Sequence, residues 1–284
     1  MKISILFSGT KFAKKINMSA DLHVHLKWNG GELEPEEFFR KTVEKKLEGI
    51  ALLNINFLEF PDDMLMSSRK FGLFVLPGVQ VDLKYKGINM EFSILFDSLS
   101  FPDNVVEYFK QVKTLHNRRM GLLLEHFNIE PDVDFVTVEY LYRVVRERGL
   151  FEGGTIQQFH KYISRFHTSK DWVVPDIFEL LEVLKDTSHI LVINAPGRIA
   201  MNIGLKETLY LISDLFDIGV HGIEVWYPEN DQSIASIIEE IAINHNKLLL
   251  GGSNISLKED MGRLGYYTCP RNYYMDVVNY LKRG

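Results

Sequence analysis

The sequence predicts an α/β protein built of β-α-β units with one helical insertion, and three observations carry the prediction. Short apolar runs rich in β-formers alternate with longer segments of helical period, the pattern of a parallel sheet with crossover helices. The alternation stops between about residues 102 and 187, where helical patterns follow one another with no strand between them. A chain of 284 residues with 46% apolar content can bury one full core, two domains being the other arrangement its length allows.

The first unit is the clearest. Residues 20–25 read as a strand, and after a loop Pro35 stands where a first helical turn would begin, because its missing N–H has no partner to lose there. Phe39, Val43 and Leu47 recur at four-residue spacing, Gly49 suits the C-terminal cap, and residues 50–53 follow as the second strand. Further strands are predicted at 74–81, 90–96, 190–193, 222–226 and 247–250. Between the last three lie helices marked by Leu209, Ile212, Leu215 and Phe216, ended by Gly219, and by Ile234, Ile237, Ile238 and Ile241. The interruption holds helical patterns around Val105–Val112, Leu141–Val145, Ile156–Ile163 and Phe178–Leu184. The expected organisation is a barrel from residues 1–101 and 188–284, with a helical insertion at 102–187 packed on it.

Composition excludes several classes. The single Cys269 rules out an intramolecular disulfide, and the first twenty residues hold no signal-like apolar run, so a cytoplasmic location is expected. No stretch approaches the roughly 18 apolar residues that span a bilayer. A net charge of −6 argues against coating duplex nucleic acid but leaves room for a small basic pocket. Phosphate-loop, dinucleotide and nucleophile-elbow patterns are absent.

The strongest local signal is Asp21-Leu22-His23-Val24-His25 at the end of the first strand. Residues two apart on a strand face the same way, so both imidazoles can reach one metal ion, or can simply pack and hydrogen-bond there. Arg198, just past Pro196, suits a phosphate contact, and a loop arginine paired with acids is the competing reading. Arg118 and Arg119 read first as a solvated helix face. Glu224 is the acid expected at the pocket, in a structural role. His160 with His167, and Glu125 with His126, read as surface residues.

These signals fall in a recognisable order: the Asp21–His25 motif, Glu34-Pro35-Glu36-Glu37, Leu76-Pro77-Gly78-Val79, Pro196-Gly197-Arg198, Gly222-Ile223-Glu224-Val225 and Gly251-Gly252-Ser253. The chain resembles the PHP (polymerase and histidinol phosphatase) family over nearly its whole length, closest to single-chain members with a helical insertion. The resemblance implies a distorted TIM-like (β/α)7 barrel that hydrolyses phosphoesters with up to three metal ions at the C-terminal ends of its strands. Arg118 and Arg119 resemble arginines in the insertion of relatives that act on nucleotides.

The family's ligand pattern is only partly present. His23 and His25 match it. The other positions are Gly30 for an acid, Ile55 for a histidine after Asn54, Gln80 for a bridging glutamate, Tyr140 and Ala195 for histidines, and Asn254-Ile255-Ser256 for a closing Asp-x-His. No carboxylate stands at a matched position, and clustered cations without anionic ligands are costly to desolvate. The expectation is a pseudoenzyme whose pocket binds a nucleotide, another phosphorylated molecule or a protein partner through the insertion. The candidate ligand-binding set is Arg198, Asn54, Gln80, Asn254, Ser256 and Arg118. No cofactor is expected beyond a single weakly held Zn, Mn or Ni on His23 and His25. The alternative is a phosphoesterase with a reduced metal site, acting on nucleotide phosphates or short RNA.

Overall fold

The computed structural model describes residues 19–29, 31–61 and 64–283. Its strands are β1 (Ser19–Val24), β2 (Gly49–Ile55), β3 (Phe74–Tyr85), β4 (Ile88–Phe96), β5 (His189–Ile193), β6 (Gly222–Trp226), β7 (Leu248–Gly251) and β8 (Cys269–Pro270). They form one sheet in the order β7-β6-β5-β4-β3-β2-β1-β8. Ile255, just past β7, bridges Val24 of β1, so the two ends of the sheet meet and the barrel nearly closes.

The barrel expected from the sequence is present, with two corrections. β4 runs antiparallel to both β3 and β5, and β8 adds an eighth strand antiparallel to β1. The turn between β3 and β4 explains the first: Lys86 and Gly87 both have positive φ, 49° and 80°, as a two-residue hairpin of matching twist requires. β8 is only two residues long, below any periodic signal.

The helices are α1 (Pro35–Glu44), α2 (Met64–Lys70), α3 (Asp103–Phe127), α4 (Val138–Glu147), α5 (Ile156–Ile163), α6 (Ile177–Leu184), α7 (Pro196–Ile203), α8 (Leu205–Asp217), α9 (Gln232–Asn244) and α10 (Arg271–Leu281). Pro35 opens α1 as expected, but Phe38 and Phe39 are its buried pair and Val43 is exposed. Gly49 is not its cap. The chain leaves α1 through Lys46 at φ 62°, and Gly49 begins β2.

Strand alternation divides the apolar residues between two faces. Leu53, Leu76, Leu95, Ile190 and Leu250 fill the interior, closed at one end by Tyr274, Val277 and Leu281 of α10. Val79, Phe92, Ile94, Leu191 and Ile223 face outward beneath helices. Between residues 102 and 187 the described chain has no strand. The first half of α3 (Val105, Phe109, Val112) and α6 (Ile177, Leu180) join this outer core, while the second half of α3 builds a separate core with α4 and α5 around Phe127, Leu141 and Phe159. No described helix is long and apolar enough to cross a membrane.

Candidate functional site

β1 delivers His23 and His25 to the barrel interior. The register between β1 and β2 shifts between Asp21 and Val24, the kind of irregularity that re-aims a side chain. Asp21 serves the scaffold: its carboxylate accepts from the backbone N–H and the hydroxyl of Ser253, at 2.9 and 2.5 Å, tying β1 to the loop after β7. Gly252 lies flat on β1, and a Cβ there would fall 2.2 Å from that of His23.

The imidazoles form a closed chain of hydrogen bonds. His23 Nδ1 donates to Glu224 Oε1 at 2.6 Å, and its Nε2 faces Gln80 Oε1 at 2.8 Å and His25 Nε2 at 3.1 Å. His25 Nδ1 donates to the Leu53 carbonyl at 2.8 Å, which leaves its Nε2 as an acceptor. Every partner of His23 as placed is thus an acceptor, an arrangement that a doubly protonated ring facing Glu224 would satisfy. Burial opposes that charge, but Glu224 and the Gln80 oxygen outweigh it and raise the His23 pKa. Burial, followed by the cationic His23, pushes His25 down to about 3. Glu224 itself is anchored by the Ala195 N–H, 3.1 Å from Oε2.

A polar row crosses the barrel mouth above this pair. Gln80 stands opposite Ser93 and Asp82 opposite Glu91 in the β3–β4 hairpin, and the Asn194 N–H donates to the Glu91 carbonyl at 3.0 Å. Asn56, at φ 60°, clamps Asp82: its Nδ2 donates to Oδ2 at 2.9 Å and its Oδ1 accepts from the Asp82 N–H at 3.0 Å. Arg119 of α3, 1% exposed, donates to Asp82 Oδ2 at 2.7 Å and to the Val173 carbonyl at 2.8 Å. Arg198 of α7 gives Nε and Nη2 to Glu229 at 2.6 and 3.0 Å, and Nη1 to Glu91.

Asn56, Gln80, Asp82, Glu91, Arg119, Asn194 and Arg198 of this row line a cavity of about 750 Å³, the size of an ordinary small-molecule site. A smaller cavity of about 220 Å³ shares its Glu139, Gln157, His160 and Arg198 wall. Neither His23 nor His25 lines either space, whereas Gln80 lines the larger one. The pair lies under the floor, 0% and 1% exposed.

The expected site residues are thus only partly assembled. His23, His25 and Gln80 converge, and Asn254, at φ 48°, reaches His25 and lines the smaller cavity with Ser256. Arg198 lines both cavities, but its nitrogens are committed to carboxylates rather than open to a phosphate. Asn54 turns outward, its Nδ2 donating to the Glu59 carbonyl at 2.7 Å, and lines neither cavity; Asn56 takes its expected place. Arg118 is exposed, pairs with Asp171 and lines neither cavity. Arg119 corrects the solvated-face reading, being buried in the cavity wall.

Tyr140 points into the insertion, its hydroxyl donating to Asp132 at 2.6 Å, while the adjacent Glu139 faces both cavities. His160 is half-buried in the wall rather than on the open surface, and His167 sits exposed at the rim of the larger cavity. His126 is exposed beside Tyr162 and Arg165. Ile55 and Ala195 line the larger cavity, and Gly30 lies outside the described residues. Sequence reasoning missed Asp82, Glu91, His116 and Asn194. The signal for the first two was present: Val81-Asp82-Leu83 and Met90-Glu91-Phe92 embed an acid in an apolar strand, at the parity of the inner face.

No family model and no curated protein matches the chain. Solved structures do. A chain from Bifidobacterium adolescentis, to which metal-dependent phosphoesterase activity is assigned by inference, superposes with a TM-score of 0.73 at 16% identity, over 92% of this chain and 96% of that one. An amidohydrolase from Chromobacterium violaceum, solved with sulfate and no metal, matches with the same score and coverage at 17% identity. This is the PHP-type phosphoesterase fold. At such identities the likeness is one of architecture.

The family resemblance implies a metal cluster at this end of the barrel. Among the described residues no three His, Cys, Asp or Glu side chains come together as a ligand set. The carboxylate nearest the histidines, Glu224, engages His23 through Nδ1, on the far side of the ring from His25.

Proposed function

We propose that this chain is a non-hydrolytic PHP-fold protein that binds a small ligand in the cavity above a locked histidine pair. One observation carries the reading: the nitrogens that would hold a metal satisfy each other, His23 Nε2 donating towards Gln80 and His25 beneath the cavity floor. The charge at that position is a proton, balanced by Glu224. Hydrolysis without a metal would need another base and another source of charge for the leaving oxygen. His25, with its pKa near 3, is a poor base at neutral pH.

A second reading has its own support. The 3.1 Å between the two Nε2 atoms is close to the roughly 3.4 Å that two Zn–N bonds of about 2.1 Å subtend at a tetrahedral centre. Both Nδ1 atoms are anchored on oxygens, as metal-ligating histidines usually are. His23, His25 and Gln80 would hold one ion, which would supply Lewis acidity for a reduced-site phosphoesterase. A hydrolysis screen decides between the two, with phosphomonoesters, bis-phosphorylated nucleotides and short RNA in Mn²⁺. The first reading expects no turnover beyond that of His25→Ala. Turnover present in the wild type and lost in His25→Ala establishes the second.

A further inference from the structure

Hydrogen bonding around the larger cavity constrains its occupant. The strong donors of the wall are in use: Arg198 on Glu229 and Glu91, Arg119 on Asp82 and the Val173 carbonyl. Lys161, exposed at the rim, is the lining lysine, and no ion pair engages it among the described residues.

Acceptors remain. Glu139, at the start of α4, accepts from the Thr137 hydroxyl and its own N–H; burial raises its pKa, Arg198 acts on it only at longer range, and no ion pair among the described residues includes it. Asn194 is 1% exposed and lines the cavity, and neither its Oδ1 nor its Nδ2 has a partner. Oδ1 of Asn89, also in the wall, is buried without a donor. A buried carboxamide with both ends unpaired pays its full desolvation cost until something bonds to it.

The charges around Asn194 favour one sign of ligand. Glu91 lies beside it, and its carboxyl is pushed up to about 7 by burial, against the pull of Arg198 and with Asp82, Glu229 and Glu139 adding to it. An anion placed here meets Glu139 and Glu91 and no uncommitted guanidinium, the Lys161 ammonium lying out at the exposed rim. A cation meets Glu139 and the second oxygen of Glu91, whose Oε1 is held by Arg198, with the apolar wall of Met90, Ile199 and Ile203 and the Trp172 ring for its carbon chain.

We propose that the larger cavity binds a small organic cation, an aliphatic amine or guanidine, its N–H donors on Glu139 and Glu91 and a neighbouring polar group on the Asn194 carboxamide. This rests on the reading of the barrel as a binding protein and names its ligand class.

The test is isothermal titration calorimetry on the full chain with agmatine and cadaverine, against inorganic phosphate and adenosine 5′-monophosphate. At least one amine binds with a Kd tighter than about 1 mM, and Glu139→Gln and Asn194→Ala each weaken it by about tenfold or more. Lys41→Ala, a partly exposed change on α1 outside both cavities, leaves amine binding intact. Phosphate or the nucleotide binding in place of both amines, amine binding indifferent to both wall variants, or no binding by any probe overturns the proposal. Metal content measured on the same sample keeps the readings separate. Metal-free protein that ignores amines overturns the ligand class alone, and stoichiometric metal beside amine binding overturns the non-hydrolytic reading alone.

Discussion

Glu224 and His23 face each other at 2.6 Å where water scarcely reaches, with side-chain exposures of 3% and 0%. Removing one partner of such a pair leaves the other charge buried alone, so Glu224→Ala is expected to lose about 3–5 kcal/mol in urea unfolding. A loss near zero would mean that His23 is neutral and needs no counter-charge. His116 gives a pH signature. Burial, then the neighbouring Arg119, pushes it down to about 4, well below the ordinary histidine value. The unfolded chain therefore takes up this proton first as pH falls. The stability His116 contributes is complete above about pH 6.5 and is lost towards pH 4 at about 1.4 kcal/mol per unit. The stability gap between wild type and His116→Gln should narrow over that window, and a gap independent of pH contradicts it.

At the scale of elements, the β3–β4 hairpin creates the polar row, because its antiparallel register sets Asp82 opposite Glu91 and Gln80 opposite Ser93. Its turn depends on Gly87 at φ 80°, where an added Cβ would meet nothing within 4 Å. Gly87→Ala thus tests conformation alone, and a loss of about 1 kcal/mol in thermal or urea unfolding is expected. An unchanged stability would argue against the turn geometry. Seven of the eight strands were legible in the sequence, since each is a run of β-formers bounded by turn residues. Their directions were not: periodicity reports which face a residue takes, and Lys86-Gly87 is a weaker turn signal than Asn-Gly. The same gap hid the site. His23, His25 and Gln80 could be placed by motif, whereas Asp82, Glu91 and Asn194 meet only through cross-strand pairing. Asn54 and Asn56 exchanged roles because a left-handed backbone at Asn56 cannot be read from residue type. Arg119 was misplaced beside Arg118 because helical period does not say which face meets the barrel.

On the scale of the whole molecule, the insertion is the roof of the site. α3 brings His116 and Arg119 to the cavity, while α4 and α5 bring Glu139 and His160. Its own core around Phe127, Leu141 and Phe159 packs α3, α4 and α5 together. The structure accordingly couples a barrel with a sealed histidine pair to a roofed, carboxylate-rich cavity. Hydrogen bonds and a proton, on the reading proposed above, occupy the place of a metal. Metal analysis of the full chain, purified without chelator and compared with His23→Ala, is the sharpest check of that reading. A sealed pair leaves far less than one transition metal per chain in both proteins; near-stoichiometric metal in the wild type that disappears in His23→Ala would contradict it.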